Sequence, residues 1–174
     1  MPGTLHIVAT PIGNLSDITE RALATLGSAD LIACEDTRVT GKLLAHYSLK
    51  KSLVSYHQHS GSRAVQEISN ALFENKTIAL VTDAGTPGIS DPGNELIERL
   101  TVNIEQLTVV PVPGPSAVIA ALSVCGFPAD KFLFLGFPPH KKKRGKFFIE
   151  AAECPHTVVF YESCHRIKKS LEEL

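Results

Sequence analysis

The chain has 174 residues, of which 44% are hydrophobic and 20% are charged, and its formal net charge is −1 at pH 7. This composition is ordinary for a globular protein of one large domain or a domain and a half, and it excludes a polycation that binds nucleic acid over its whole surface. No apolar run approaches the roughly 20 residues that span a bilayer, and the start MPGTLHIVAT lacks the basic segment of a signal peptide, so we expect a cytoplasmic protein without a membrane partner.

Short strand-like runs alternate with helix-like segments along the chain. Strands are predicted at 5–10, 31–35, 53–57, 77–83, 107–112, 132–137 and 156–162, and helices near 17–27, 38–47, 62–74, 93–101, 115–125, 145–153 and 164–173. Asp17 followed by Glu20 resembles a capping box that opens the first helix. Several strands are continuous apolar runs, as expected for strands covered on both faces. The alternation predicts βαβ units and an α/β fold with a mostly parallel sheet.

A domain boundary is predicted within GFPADK at 126–131, because the preceding strands and helices already suffice for one layered domain. This interpretation gives an N-terminal α/β domain over 1–125 and the beginning of a second α/β domain over 126–174. The alternative is that the last two strands extend the first sheet. The final segment, SCHRIKKSLEEL, stops within a helical pattern and has no capping signal, so we expect the second domain to be truncated.

The loops that follow the predicted strands are the candidate ligand-binding segments, because ligands of open α/β sheets bind beyond the carboxyl ends of the strands. These loops are TPIGNLSD (10–17), EDTR (35–38), HQHSGS (57–62), TDAGTPGISDPG (82–93) and PGPSA (113–117). Three of them are rich in glycine and proline, which makes a loop rigid before anything binds. The glycine-rich dinucleotide and Walker phosphate motifs are absent, and the rigid loops carry few basic residues. The pattern favours a small ligand with amines, hydroxyls and an apolar body.

Asp83 and Asp91 lie in the longest of these loops. Their carboxylates either accept hydrogen bonds from a ligand or organise turns and cap the helix that follows. For Asp91 the capping interpretation is favoured, and for Asp83 ligand binding or loop organisation is favoured.

TDAGTPGISDPG, together with VATPIGNLSDIT (8–19), EDTR (35–38), PVPGPSA (111–117) and FLFLGFPP (132–139), closely resembles the ribosomal RNA small subunit methyltransferase I family. That family belongs to the tetrapyrrole-methylase-like superfamily of S-adenosylmethionine-dependent enzymes. The resemblance runs almost from end to end and departs at Thr82, where the family more often has serine or another small residue; we expect little consequence. It implies two α/β domains with S-adenosylmethionine between them, methylation of the 2′-hydroxyl of a cytidine in small-subunit ribosomal RNA, and a homodimer. It also implies that family members are longer than this chain.

The resemblance also assigns the cofactor-binding residues, which lie in the loops after three strands and at one aromatic position. They are Pro11, Ile12 and Gly13; Asp83, Ala84, Gly85, Thr86, Pro87, Gly88 and Ser90; Pro113, Gly114, Ser116 and Ala117; and Tyr161.

Methyl transfer to a ribose hydroxyl needs alignment of the acceptor oxygen and a general base. The candidates at strand ends are Glu35, Asp36, His57 and His59. The alternative for EDTR is a structural ion pair with Arg38 at the start of a helix, and the alternative for the histidines is a loop or RNA-contact role.

RNA binding predicts a local basic patch, and HKKKRGK at 140–146 contains five basic side chains in seven residues. The predicted RNA-binding residues are Arg38, Lys141, Lys142, Lys143, Arg144 and Lys146; the alternative is a merely solvated loop. Phe147 and Phe148 are expected in a helix core rather than stacked on bases.

Two other functions compete with the ribosomal RNA methyltransferase. One is a small-molecule methylase of the same superfamily that acts on a tetrapyrrole, which the basic run opposes; the other is a non-catalytic fragment. The four widely spaced cysteines indicate free thiols, and the spacing typical of zinc sites is absent, so no metal is predicted.

Overall fold

The computed structural model describes residues 2–57, 62–91 and 93–174. The chain forms two compact units, Met1–Ser116 and Ala117–Leu174. The predicted boundary after residue 125 keeps the helix near 115–125 with the first domain, whereas the compact units group this helix with the second.

The elements alternate as the sequence predicts. The first unit contains β1 (Thr4–Val8), α1 (Glu20–Ser28), β2 (Leu31–Cys34), α2 (Thr37–His46), β3 (Leu53–Ser55), α3 (Ser62–Phe73), β4 (Thr77–Val81), α4 (Gly93–Asn103) and β5 (Thr108–Val112). The second contains α5 (Ala117–Val124), β6 (Phe132–Phe134), α6 (Arg144–Glu153), β7 (Thr157–Val159) and α7 (Ile167–Glu173). Every predicted strand and helix has a counterpart, so the α/β prediction is confirmed.

The first sheet is parallel and has the strand order β3-β2-β4-β1-β5. The connection from β2 leads to β3 at one edge, whereas the connection from β4 leads to β5 at the other. β2 and β4 are therefore neighbours whose connections diverge, and this arrangement creates the crevice in which open α/β sheets bind ligands. Pro111 has no backbone N–H and is accommodated because β5 is an edge strand.

Helices cover both faces of this sheet, which explains why its central strands are continuous apolar runs. Residues from α3 and α4 pack on one face, among them Ile68, Leu72, Leu96 and Leu100. Residues from α1 and α2 pack on the other, among them Ala22, Leu26, Leu43 and Leu44. Burial of alternate strand residues on opposite faces fixes the register of each strand.

The predicted capping box at Asp17 is wrong. Asp17 lies in a short 3-10 turn over Leu15–Asp17, and the side chain of Asn14 accepts the hydrogen bond that begins this turn. Thr19 caps α1 instead, because its hydroxyl accepts a hydrogen bond from the backbone N–H of Ala22 at 3.0 Å. Because of this extra turn, α1 begins only at Glu20, and the loop that follows β1 is longer.

In the second unit, β6 and β7 form a parallel two-stranded sheet of their own, so they do not extend the first sheet. Phe147 and Phe148 are buried against Phe160, with ring centroids 5.5 and 6.1 Å from it. The helix-core interpretation of both phenylalanines is confirmed. Among the described residues, no helix has the length and apolar character needed to cross a membrane.

Candidate functional site

Three glycine- and proline-rich loops meet at the carboxyl edge of the first sheet, because they follow the neighbouring strands β4, β1 and β5. Thr10 and Gly85 exchange backbone hydrogen bonds of 2.9 and 3.1 Å, which join the loops after β1 and β4. The Thr86 hydroxyl donates to the carbonyl of Pro115 at 3.2 Å and joins the loops after β4 and β5. The loops that sequence patterns selected separately therefore form one continuous rim.

Two glycines of this rim lie so close to neighbouring atoms that an added side chain would have to displace them. Gly88 has a φ of 85°, and a Cβ there would lie 2.6 Å from Oδ1 of Asn94, whose amide donates to the Gly88 carbonyl at 2.8 Å. A Cβ on Gly114 would lie 3.0 Å from Cβ of Ala9. The loops are therefore packed closely against neighbouring segments of the first unit, which orders the rim before a ligand binds.

The remaining residues predicted to bind a cofactor divide between the two units. Pro11 is buried and Gly13 is exposed after β1, whereas Ala117 begins α5 in the second unit. Tyr161 also lies in the second unit, where its ring packs against Phe134 and Phe137 at centroid distances of 4.9 and 5.3 Å. Cofactor contact by these residues stays a prediction.

The ends of β2 and β4 are connected by acidic side chains. The Thr82 hydroxyl donates to Oε2 of Glu35 at 3.2 Å, and the backbone N–H of Asp36 donates to Oδ1 of Asp83 at 3.1 Å. Asp83 therefore organises the loop, as one of its two predicted roles requires. Thr82 holds Glu35 through its hydroxyl, a bond that a serine can also donate, so its departure from the family pattern preserves the contact.

Asp91 lies at the same acidic corner. Burial raises the pKa of this carboxyl, a hydrogen bond with Thr82 opposes the rise, and the nearby charges of Glu35 and Asp83 add to it. Burial is the largest cause of this raised pKa, and the smaller contributions of Glu35 and Asp83 come from carboxylates that lie close to Asp91. The capping role predicted for Asp91 involves Pro92, which lies outside the described residues, and stays a prediction.

Asp36 and Arg38 form the structural ion pair that the sequence left open as an alternative. The Asp36 side chain caps α2 by accepting from the backbone N–H of Arg38 at 2.8 Å. The guanidinium donates to both carboxylate oxygens, from Nε to Oδ1 at 3.0 Å and from a terminal nitrogen to Oδ2 at 2.6 Å. The side-chain and backbone hydrogen bonds from Arg38 lower the pKa of Asp36 to about 2. Asp36 is therefore a poor general base.

His57 lies away from this corner. His57 is exposed just after β3, which is an edge strand separated from β4 by β2. His59 lies outside the described residues.

A cavity of about 370 Å³ opens beside α2 and is called the α2 cavity here. It is lined by Thr10, Pro11, Leu15, Val39, Thr40, Lys42, Leu43, Thr82 and Asp83. Sequence reasoning missed Val39, Lys42 and Leu43, because it examined strand-end loops and not the helix between them. Their spacing of three to four residues, which places them on one face of α2, is the signal that could have identified them.

The basic run in the second unit is divided by burial. Lys141, Lys142, Lys143 and Lys146 are exposed, whereas Arg144 is only 6% exposed. The Arg144 guanidinium lies 3.5 Å from the Glu162 carboxylate, pairs with Glu173, and donates to Oγ of Ser170 at 2.6 Å. This network occupies Arg144, so the structure gives it a structural role in place of the predicted RNA contact.

Glu162 is the acidic centre of this network, with a side chain that is 2% exposed. Burial raises its pKa, but the hydrogen bonds from Ser170 and from the Ser163 backbone N–H, with the charges of Arg166 and Arg144, outweigh burial. The pKa of Glu162 is therefore held below its ordinary value.

Comparison with known proteins gives consistent relatives. The chain is 47% identical to the ribosomal RNA small subunit methyltransferase I of Halalkalibacterium halodurans, over 99% of this chain and 59% of that protein. It is 48% identical to the protein of the same name from Escherichia coli O157:H7, over 99% of this chain and 60% of that protein, and 50% identical to that of Vibrio cholerae, over 98% and 59%. The chain thus spans about 60% of the length of these relatives.

The fold is similar to that of solved methyltransferase structures, and the sequence matches a family model. The uroporphyrin-III-C-methyltransferase of Thermus thermophilus superposes with a TM-score of 0.64 at 21% identity, covering 99% of this chain and 72% of that one. The cobalamin synthesis related protein CobF of Corynebacterium diphtheriae gives a TM-score of 0.59 at 16% identity, covering 83% and 70%. At these identities the likeness concerns the fold alone. The model of the tetrapyrrole (corrin/porphyrin) methylases matches residues 4–174, and the chain therefore belongs to that family.

Proposed function

We propose that this protein acts in the S-adenosylmethionine-dependent methylation of the 2′-hydroxyl of a cytidine in small-subunit ribosomal RNA. The observation that carries the proposal is the rigid rim formed by the loops after β4, β1 and β5. The chain belongs to a methylase family and is 47% and 48% identical to two relatives named ribosomal RNA small subunit methyltransferase I. Both findings support the same conclusion.

The charge of the rim fits this cofactor. S-adenosylmethionine has a net positive charge, because its sulfonium and ammonium groups outweigh its carboxylate. The three rim loops contain no lysine or arginine, and the carboxylates of Glu35, Asp83 and Asp91 lie at the adjoining corner. Such a rim attracts a small cation and repels a polyphosphate. The backbone groups of residues 83–90 and 113–117 would hold the cofactor, which supplies the methyl group.

Among the candidate bases at the strand ends, the structure disfavours Asp36. Both of its oxygens accept hydrogen bonds from Arg38, and its lowered pKa makes it a weak proton acceptor. We retain Glu35, which lies at the switch point between β2 and β4, and His57. Asp36 is proposed to orient Arg38, whose side chain is 85% exposed and available to a phosphate.

The proposed partner is the small-subunit ribosomal RNA. The exposed Lys141, Lys142, Lys143 and Lys146, together with Arg38, are the proposed phosphate contacts. Removing one such contact should reduce the slope of log affinity against log salt by about 0.7 for a single strand. We also propose a cytoplasmic homodimer, as the resemblance implies; sedimentation analysis tests the dimer.

Two measurements test the function. Calorimetric titration with S-adenosylmethionine should show binding, and Asp83→Ala should weaken it by about tenfold or more, because a charged hydrogen-bonding group is lost. Asp130→Ala, which removes an exposed carboxylate in the second unit, is the matched control and should leave the affinity unchanged.

Methyl transfer to isolated small ribosomal subunits, with the product nucleoside identified, tests the acceptor. A 2′-O-methylated cytidine is expected. A base-methylated product, or transfer to a tetrapyrrole but not to ribosomal subunits, would contradict the proposal.

A further inference from the structure

The α2 cavity shares one wall with the rim loops after β1 and β4, but its other wall is formed by α2, which belongs to no cofactor-binding loop. We propose that this cavity receives a single pyrimidine nucleotide extruded from RNA, which would be the acceptor nucleotide. This inference rests on the proposed function and adds where, and by which residues, the acceptor is held.

The walls of the cavity suit the faces of a base. Leu15 from the loop after β1 and Val39 from α2 are apolar, yet they remain 41% and 40% exposed at the cavity. Leu43 closes the interior and is buried. Enzymes that act on an extruded nucleotide hold its base between apolar or aromatic side chains, in a pocket that excludes the rest of the strand.

The polar groups inside the cavity are few and mostly engaged. The Thr10 hydroxyl donates to the carbonyl of Thr82 at 3.0 Å, and the Thr82 hydroxyl donates to Glu35 at 3.2 Å. A ligand therefore meets an interior that is largely apolar, with charged groups only at its margins, which is the usual composition of a small-molecule pocket.

The wall that carries Leu15 is fixed before binding. The Tyr47 hydroxyl, at the end of α2, donates to the carbonyl of Leu15 at 2.6 Å. The Asn14 side chain accepts from the N–H of Ser16 at 3.1 Å within the same turn. The Tyr47 bond holds the loop against the end of α2 and the Asn14 bond fixes the turn, so a ligand does not have to order this wall of the cavity.

The charged groups at the margins give the ligand a direction. Lys42 lies at the solvent side, one helical turn from Arg38, and both can meet backbone phosphates. Asp83 lines the α2 cavity and also belongs to the cofactor rim. A nucleotide whose base enters the α2 cavity would therefore place its ribose beside that rim.

The size and charge of the cavity oppose a tetrapyrrole as its occupant. A volume of about 370 Å³ is near the lower end of the roughly 300–1,000 Å³ found for ligand pockets, and a whole macrocycle exceeds a single base several-fold in area. Tetrapyrrole carboxylates would also need several cations, whereas Lys42 is the single cation among the described residues that line the cavity.

The test is titration of the full chain with cytidine 5′-monophosphate, followed by NMR of leucine and valine methyl groups. We expect saturable shifts of Leu15, Val39 and Leu43 methyls. Val39→Phe, which fills the α2 cavity, should weaken binding at least tenfold, whereas the matched Val102→Phe on the exposed face of α4 should not. Saturable shifts confined to other methyls, or no shift up to about 10 mM nucleotide, would overturn the inference.

A second pair of variants tests the phosphate contact and does not depend on packing. Lys42→Ala should weaken the binding of cytidine 5′-monophosphate about tenfold but leave the binding of cytidine unchanged, and Lys50→Ala, just beyond α2, should affect neither. Equal affinity of Lys42→Ala and the parent protein for the monophosphate would remove Lys42 from the site.

The same titrations with S-adenosylmethionine separate the two proposals. Normal cofactor binding and ribosomal RNA methylation without nucleotide binding in the α2 cavity would sink this inference alone, whereas nucleotide binding there without methyl transfer would sink the proposed function.

Discussion

Replacement of Arg144 by alanine should destabilise the second unit, although the residue belongs to a basic run that predicts RNA binding. Its guanidinium is buried and contacts the carboxylates of Glu162 and Glu173, the hydroxyl of Ser170 and the carbonyl of Pro139. Alanine would leave the Glu162 carboxylate, which is 2% exposed, without one of its cations.

The expected magnitude follows from this burial. Removal of one partner from a buried ion pair costs about 3–5 kcal/mol. Glu162 keeps its pair with Arg166 at 2.7 Å and its hydrogen bond from Ser170 at 2.6 Å, so we expect the lower end, about 3 kcal/mol. With a urea dependence of about 2 kcal/mol per molar, the midpoint for the second unit should fall by about 1.5 M.

Urea denaturation, followed by hydrogen exchange of the amides of α6, measures this change in the second unit alone. Lys146→Ala is the control, because Lys146 is an exposed cation on the same helix and should change stability by less than about 0.5 kcal/mol. In RNA binding the order should reverse, with Lys146→Ala lowering the salt dependence. If Arg144→Ala unfolds like the parent protein but loses RNA affinity as Lys146→Ala does, the structural assignment is refuted.

Three further predictions concern the rim and the acidic network. Gly88→Ala should lower the free energy of unfolding by about 1–3 kcal/mol, since alanine is strained at a φ of 85° and its Cβ would collide with the Asn94 amide. Gly41→Ala within α2, where nothing lies within 4 Å of the added Cβ, should be neutral or stabilising, and thermal unfolding compares the two variants. Thr86→Val should cost about 1 kcal/mol through loss of the bond to Pro115 and speed hydrogen exchange of the rim; unchanged exchange would show that this bond does not hold the loops. The lowered pKa of Glu162 stabilises the fold above the ordinary carboxyl value of 4.5 and loses this contribution as pH falls through the lowered value. Urea midpoints of the second unit at pH 7 and in acid should therefore differ more in the parent protein than in Glu162→Gln, and equal differences would contradict this.

The local sequence was sufficient to predict the strands and helices and to identify the candidate ligand-binding loops. Continuous apolar runs such as TIALV indicated strands covered on both faces, and the glycines and prolines of TDAGTPGISDPG indicated a rigid loop. Both features depend on neighbours along the chain, so they can be identified without knowing the fold. Boundaries were less certain, as Thr19 shows by capping α1 in place of Asp17.

Only the tertiary structure decided which of these loops meet. The insertion of β4 between β2 and β1 brings Thr82 to Glu35 and Asp83 to Asp36, contacts that join residues 47 positions apart. One face of α2 lines the α2 cavity, and a prediction based on the loops at strand ends does not consider this helix. In the second unit, Arg144 differs from the lysines beside it because Glu162 and Ser170 surround it in space. Strand order and burial depend on the packing of distant segments. The five basic residues within 140–146 therefore indicated a local positive charge, but the sequence could not show which of them is buried.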